Sequence, residues 1–302
     1  MKLYAPKYYR EFTCVADKCR HSCCIGWEID VDDETMQKYT TLAEPHRSLI
    51  LQSIEPLETP HFRLAAKDRC PHLDGTGLCK IILALGEDHL CEICREHPRF
   101  YNDTPHGKEV GLGMACEEAC RLILSSDAYA EFYAVETLDA DSPDLAFDPL
   151  PHRQAIFTVL LDTTLSHSEK LQKIYDTYAI SPSVLSDSEW RDRIAALEYL
   201  DKSHRARFLS YSSTLQTPMA FEKQLERALA YFVFRHCTNA SDEEELCAAL
   251  GFCLFCERLL ASVALAERMN DVTELIDLAR TVSEELEYSE DNTEAIKLEF
   301  FI

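Results

Sequence analysis

Cysteine thiols are the side chains of this chain whose type and spacing most clearly predict chemistry. Cys14, Cys19, Cys23 and Cys24 lie within eleven residues in the pattern C-x4-C-x3-C-C. The residues between them are mostly polar or charged, so these cysteines have no apolar core to fill. Thiolates bind zinc and iron–sulfur clusters, and we therefore predict a metal or iron–sulfur site here.

Further thiols follow in the same part of the chain. Cys70 and Cys79 flank the turn Asp74-Gly75-Thr76-Gly77, which brings the two thiols back toward one point. Cys91 and Cys94 form a C-x2-C pair, a spacing that lets both sulfurs reach one metal centre. Spacing alone does not separate zinc from an iron–sulfur cluster, and it leaves open which four thiols share a centre.

The remaining cysteines and the neighbouring histidines have a structural interpretation. Cys253 and Cys256 have the C-x2-C spacing but lie in an apolar helical run, where cysteine packs as a small hydrophobe. We expect the same for Cys237 and Cys247, and Cys120 stays outside the predicted ligand set. Four histidines lie near the thiols, and we expect surface or loop positions for them: His72, His89, His97 and His106.

Charge and composition exclude several function classes. The chain has 302 residues, enough to bury a core without disulfides, and a net charge of −23. Nonspecific nucleic-acid binding and anionic lipid surfaces both require clustered Lys and Arg, so neither is expected. The acidic excess lies in the second half of the chain, where we interpret it as a solvated surface. The chain opens without an apolar leader and has no uncharged apolar run of about 18 residues. We therefore expect a cytoplasmic protein without a transmembrane segment, whose cysteines stay reduced.

The distribution of glycine and apolar residues predicts a mainly α fold with two parts. Seven of the eight glycines precede residue 114, so loops and short strands dominate the first part and helices the second. We predict a cysteine-rich module over residues 1–137, a linker or loop at 138–151 and an acidic helical domain over 152–302. In the first part, 27–32 alternates like a short strand, and Asp32 or Asp33 caps a helix that extends to about Tyr39. The predicted later helices are 152–165, 168–179, 188–201, 219–237, 242–269 and 271–287.

With these residues in view, the sequence resembles the flagellin lysine N-methylase family, within the wider group of cysteine-rich zinc- or iron-chelating domains. The resemblance covers residues 1 to about 125 and is only general beyond 150. It rests on Cys14, Lys18-Cys19, Cys23-Cys24, Gly26-Trp27, Ile29-Asp30, Cys70-Pro71, Leu73, Gly77-Leu78-Cys79, Leu90-Cys91-Glu92, Cys94, Pro98-Arg99-Phe100 and Cys116.

The resemblance implies methylation of the ε-amine of surface lysines on flagellin, with S-adenosylmethionine as the donor and a [4Fe–4S] cluster on the cysteine-rich motif. A lysine amine is protonated near neutral pH, so methyl transfer requires a base or desolvation, and Asp30 is the first candidate base. The chain lacks both the C-x3-C-x2-C triad of the usual radical enzymes and a glycine-rich nucleotide fingerprint. The predicted metal ligands are Cys14, Cys19, Cys23, Cys24, Cys70, Cys79, Cys91, Cys94 and Cys116.

Two other functions compete with methylation. One is a noncatalytic module in which a structural zinc site presents the acidic helical half to a protein partner. The other is a thiol redox enzyme, which rests only on the Cys91 and Cys94 pair without the strand–helix context of such motifs.

Overall fold

A computed structural model describes residues 1–301 and divides the chain into two compact units. The cysteine-rich unit is Thr13–Arg99, and the helical unit combines Met1–Phe12 with the chain from Phe100 onward. This division differs from the predicted boundary at 138–151. The reason is that the first strand pairs with two strands that follow the cysteine-rich unit, so the chain enters the helical unit, leaves it and returns.

Helices predominate over strands in the described residues, which confirms the predicted mainly α class. The strands are β1 Lys2–Pro6, β2 Ile54–Glu55, β3 His61–Phe62, β4 Arg99–Thr104, β5 Gly107–Leu112 and β6 Phe132–Thr137. The α-helices are α1 Asp33–Thr41, α2 His46–Leu51, α3 Lys80–Leu85, α4 Glu92–Glu96, α5 Glu117–Ser125, α6 Leu150–Leu160, α7 His167–Thr177, α8 Asp187–Ala196, α9 Lys202–Phe208, α10 Glu222–His236, α11 Glu243–Ala266, α12 Val272–Val282 and α13 Glu290–Lys297.

The helical unit is built around α10 and α11, most of whose side chains are buried. A four-stranded sheet in the order β4-β5-β1-β6 joins this core, with β1 parallel to β5 and antiparallel to β6. A π-helical turn, Ser283–Glu287, follows α12 directly. The six helices predicted after residue 150 are confirmed, with ends that differ by up to five residues, because their apolar positions recur at the helical period. Helices α9 and α13 were not predicted.

Helix α11 is apolar around its whole circumference, as expected for a helix at the centre of a core. Within residues 1–301 it alone meets the length and composition of a membrane span, with a mean hydropathy of 1.8 over its apolar window. That window is 94% buried inside the structure, and the core helix of a globular protein meets the same criteria.

The cysteine-rich unit consists of short elements around a small second core. Ile29, Val31, Tyr39 and Phe62 are nearly inaccessible there. The helix predicted to start after Asp32 is confirmed, since the Asp32 side chain accepts a hydrogen bond from the Thr35 backbone. The predicted strand at 27–32 is wrong: only Asp30 forms an isolated bridge, with His61. The alternation arises because Ile29 and Val31 reach the core while Asp30 faces outward.

Candidate metal centre

Five thiols of the cysteine-rich unit lie in one neighbourhood. They come from four separate segments, and all contribute to the same small core. Each is close enough to others in the group to alter their pKa values: the Cys94 thiol is affected by Cys91, Cys24 and Cys70, and the Cys79 thiol by Cys24 and Cys91. The five are Cys24, Cys70, Cys79, Cys91 and Cys94, so the structure brings together five of the nine predicted ligands.

Backbone hydrogen bonds bring the first two segments together. The Cys70 amide donates to the Cys24 carbonyl over 2.8 Å, and the Gly26 amide donates to Asp68 over 2.9 Å. These contacts place Cys24, the end of the first cysteine cluster, beside Cys70, although 45 residues lie between them in the sequence. The convergence depends on the fold and is not visible in the local spacing.

The turn between Cys70 and Cys79 has the predicted form. The Asp74 carboxylate accepts hydrogen bonds from the backbone amides of Thr76 and Leu78 at 2.7 and 3.0 Å. Gly77 has φ of +90°, a conformation that L side chains rarely adopt. Leu73 and Cys79 then form an antiparallel bridge, which returns the chain toward its starting point.

Asp32 positions the C-x2-C pair. One carboxylate oxygen accepts from the Thr35 amide at 2.9 Å, and the other accepts from the Glu92 amide at 2.8 Å. The same side chain therefore binds the amino-terminal ends of α1 and α4. Since Cys91 immediately precedes α4 and Cys94 lies within it, this contact fixes both thiols relative to α1.

Electrostatic coupling is strongest within this pair. A hydrogen bond with Cys91, together with burial, raises the pKa of the Cys94 thiol. The same hydrogen bond lowers the pKa of Cys91 against the effect of burial, with help from the Tyr39 hydroxyl at 3.7 Å. A hydrogen bond with Cys23 lowers the pKa of Cys24 to about 7, whereas burial raises the pKa of Cys70 to about 11.

Two histidines near the thiols are internal and neutral. Burial lowers the pKa of both His72 and His97 to about 4. His72 lies in a turn, as predicted for a loop residue, but it is buried: it pairs with the Ser53 hydroxyl at 2.9 Å and packs edge-on against the Phe62 ring. The ring centroids of His97 and Trp27 lie 6.2 Å apart. We assign both a packing role.

The other predicted site residues are not part of this small core. Cys14 and Cys23 are exposed, although Cys23 hydrogen-bonds with Cys24, and Cys19 is half-buried in the same loop. Cys116 belongs to the helical unit, where it precedes α5 and packs against the main core. Asp30, the candidate base, is exposed. Sequence reasoning recognised Asp32 as a helix cap but missed its bond to Glu92.

The predicted packing role of the late cysteines is confirmed for three of the four. Cys237, Cys253 and Cys256 are buried in the main core, and the sulfurs of Cys237 and Cys253 lie 3.8 Å apart. Cys247 is half-buried. The C-x2-C spacing of Cys253 and Cys256 therefore reflects a core helix.

Five thiols are one more than a four-thiolate zinc or iron–sulfur site requires, so the donor chemistry of the group fits both. In residues 1–301, however, no three His, Cys, Asp or Glu side chains lie close enough to hold a single metal ion. The thiols therefore share a neighbourhood without the tight geometry of a site for one ion.

Three curated relatives from Salmonella are similar to part of this chain. Two lysine-N-methylases, from Salmonella typhimurium and Salmonella choleraesuis, are each 31% identical over 135 residues, which make up 41% of this chain and 33% of the relative. The flagellar biosynthetic protein FliU of Salmonella muenchen is 30% identical over 135 residues, 41% of this chain and 79% of that protein. The chain thus spans about a third of the length of the two methylases. No family model matches the chain, and no solved structure matches its fold.

Proposed function

Because this chain belongs to the family of the flagellar biosynthetic protein FliU, we propose that it is a protein-lysine N-methyltransferase. The observation that carries the proposal is the 31% identity to two lysine-N-methylases over 135 residues. The proposed substrate is flagellin or another surface protein, modified in the cytoplasm before export. The proposed methyl donor is S-adenosylmethionine.

The reaction transfers a methyl group from a sulfonium to an amine. The bond between sulfur and the methyl carbon breaks, a bond between nitrogen and that carbon forms, and the amine loses a proton. Because a lysine ammonium has no lone pair, its proton must leave before the transfer. The transfer therefore requires a base or a desolvated site that favours the neutral amine, and Asp30 remains the proposed base in the cysteine-rich unit.

The proposed inorganic centre is a [4Fe–4S] cluster, which supplies redox chemistry when bound. Four of the five grouped thiols, Cys24, Cys70, Cys79, Cys91 and Cys94, would hold it. The bond from Asp32 to α4 orients two of them. Cys14, Cys19, Cys23 and Cys116 remain proposed ligands of that or a further centre.

Four thiolates serve either a tetrahedral zinc ion or a four-iron cluster, so the thiol group is compatible with both centres. The cluster is proposed because the resemblance to the flagellin lysine N-methylase family implies it.

Co-expression with flagellin tests the proposed activity. Peptide mass spectrometry of the recovered flagellin should show lysines heavier by one methyl group when the wild-type chain is present. The variant with Cys91→Ala and Cys94→Ala should abolish this modification, because it removes the pair that Asp32 positions.

The matched control is the variant with Cys253→Ala and Cys256→Ala, which changes a pair of identical spacing in the core of the helical unit. It should retain methylation. Unmodified lysines in the presence of the wild-type chain, with zinc bound in stoichiometric amount, would instead support the noncatalytic zinc module.

A further inference from the structure

A cleft of about 520 Å³ lies within the helical unit. Its walls come from the start of the β4–β5 hairpin, the end of α10, the π-helical turn and α13. The π-helical geometry is rare and occurs often at functional sites. Here it places the Glu287 side chain in the wall of the cleft.

Glu287 and His236 form a carboxylate–imidazole pair in this wall. The His236 Nε2 atom lies 2.7 Å from a Glu287 carboxylate oxygen, and the Tyr231 hydroxyl donates to the other oxygen at 3.0 Å. Arg235 lies 3.4 Å from the same carboxylate, whose side chain is fully buried. Arg235 and His236 outweigh burial and lower the pKa of Glu287, so the carboxylate is ionised.

The contact with Glu287 fixes the tautomer of His236. A carboxylate only accepts hydrogen bonds, so Nε2 carries the ring proton and Nδ1 carries a lone pair. Burial, together with the charges of Arg235 and Lys297, lowers the pKa of His236 against the effect of Glu287, so the ring is neutral.

His236 lines the cleft, and among residues 1–301 its Nδ1 atom makes no hydrogen bond. This nitrogen is not fully enclosed by the protein. By contrast, Nδ1 of His167 is buried without a partner in the core. An oriented neutral imidazole with an accessible lone pair has the arrangement of a general base.

The charged side chains that line the cleft carry a net charge of −1, with three glutamates, one arginine and one lysine, and this net charge favours a cation. Arg235 pairs with Glu287, and Lys297 pairs with Glu294 at 2.8 Å, so these four charges compensate one another. Glu290 is exposed in the lining and has no ion pair in the described part of the chain. The remaining groups facing His236 are uncharged: the Tyr231 hydroxyl and the Phe252 ring of α11.

From this geometry we infer that the cleft binds a primary ammonium group and that His236 Nδ1, in place of the exposed Asp30, accepts its proton. One N–H bond of the ammonium breaks, an N–H bond forms at Nδ1, and the electron pair stays on the substrate nitrogen. The imidazolium charge then faces the Glu287 carboxylate. The inference rests on the proposed function for the source of the amine, a lysine side chain, and it gives the unmodified substrate a binding site. Glu287 acts as a positioning residue.

A binding experiment tests this inference without requiring methylation. Full-length protein labelled at histidine is titrated with n-butylammonium chloride while the ring resonances are followed by NMR, with the His236 signal assigned from its loss in His236→Gln. We expect a saturable shift of that signal, no shift with n-butanol, and an apparent affinity about two- to fivefold weaker in the exposed variant Glu290→Gln.

The control is His204, whose Nδ1 lies 2.7 Å from Glu285 on the same π-helical turn but outside the cleft. Its signal should not move, whatever the outcome of the flagellin experiment. If methylation is found, His236→Gln should lower kcat about 100-fold or more with little change in KM, and His204→Gln should not. A His236 signal unmoved by n-butylammonium, or equal shifts at both histidines, would overturn the inference even if methylation is found.

Discussion

Asp32 satisfies two backbone amides that are 57 positions apart in sequence, those of Thr35 and Glu92. An amino-terminal cap of this kind satisfies an amide that its helix leaves without a partner. The local cap was predictable, because Asp32 stands just before the helical pattern. The second bond was not, since it depends on how the chain folds back.

We expect Asp32→Ala to lower the free energy of unfolding by about 2 kcal/mol, because two helix ends lose their acceptor. Urea unfolding followed by circular dichroism measures this change. The control is Asp33→Asn, one residue later at an exposed position, which should cost about 0.3 kcal/mol. Equal losses in the two variants would show that the bridging role is absent.

Glu257, in the core of the helical unit, is a second carboxylate that accepts hydrogen bonds from two partners. Its carboxylate accepts from His167 at 2.7 Å and from Arg258 at 2.8 Å, and all three side chains are nearly inaccessible. Burial opposes ionisation, but Arg258 and His167 outweigh it and lower the pKa of Glu257 to about 2.

This pKa predicts an acid dependence of stability. The folded value lies below the unfolded value, so Glu257 stabilises the fold above about pH 4.5 and this contribution disappears as pH falls toward about 2. At pH 7 the contribution corresponds to about 3 kcal/mol. Glu257→Gln should therefore be less stable at pH 7, and its difference from wild type should shrink below pH 4.5.

Denaturant unfolding at several pH values checks this expectation. Glu244→Gln, an exposed substitution at the start of the same helix, is the control and should leave the acid dependence intact. A stability difference between wild type and Glu257→Gln that stays constant from pH 7 to pH 3 would contradict the account.

At the scale of elements, close packing explains the one glycine after residue 114. A Cβ atom at Gly251 in α11 would lie 2.2 Å from the Phe300 ring, at the atom where the ring joins its side chain. Phe300 is buried and its ring lies 5.8 Å from that of Trp190, so it has little room to move. The glycine thus permits close contact between α11 and the end of the chain.

Gly251→Ala tests this packing. Alanine in a helix interior is favoured over glycine by about 1 kcal/mol, but forcing an extra carbon into a filled core costs about 1 to 3 kcal/mol. At a contact of 2.2 Å the second effect should win, and we expect a net loss of about 1 kcal/mol in unfolding experiments.

The comparison substitution is Gly75→Ala, where a Cβ atom would meet open space. It should leave stability nearly unchanged. If Gly251→Ala proves more stable than wild type, then Phe300 yields without cost and the packing argument is wrong.

Periodicity predicted most helices of this chain, because long amphipathic or apolar segments repeat their pattern many times. It failed where elements are short. The hairpin of β4 and β5 was missed, although Gly107 marks its turn with φ of +141° and leaves no room for a Cβ atom beside the Lys2 carbonyl. A single glycine does not reveal that its strand will pair with residues about a hundred positions earlier.

The sequence predicted part of the thiol group. Spacing identified Cys91 and Cys94 as a pair and Cys70 and Cys79 as the ends of a tight turn. It did not separate Cys24, which lies with them, from the adjacent Cys23, which is exposed. The hydrogen bond from the Cys70 amide to the Cys24 carbonyl places Cys24 beside the second segment, and the sequence does not reveal this contact.

At the scale of the whole molecule, the two compact units differ in the size and composition of their cores. The helical unit has a large apolar core, and its buried ion pairs lie within it. The cysteine-rich unit has a much smaller core to which five thiols contribute. In a unit of this size, thiolates bound to an inorganic centre would add stability that the apolar contacts alone do not provide.

The most direct test of the account is the iron, sulfide and zinc content of the full-length chain after anaerobic purification. We predict iron and sulfide in equal amounts in the wild-type protein, their loss in the variant with Cys91→Ala and Cys94→Ala, and their retention in the variant with Cys253→Ala and Cys256→Ala. A wild-type protein without iron, or equal iron in both double variants, would contradict a cluster held by the thiol group.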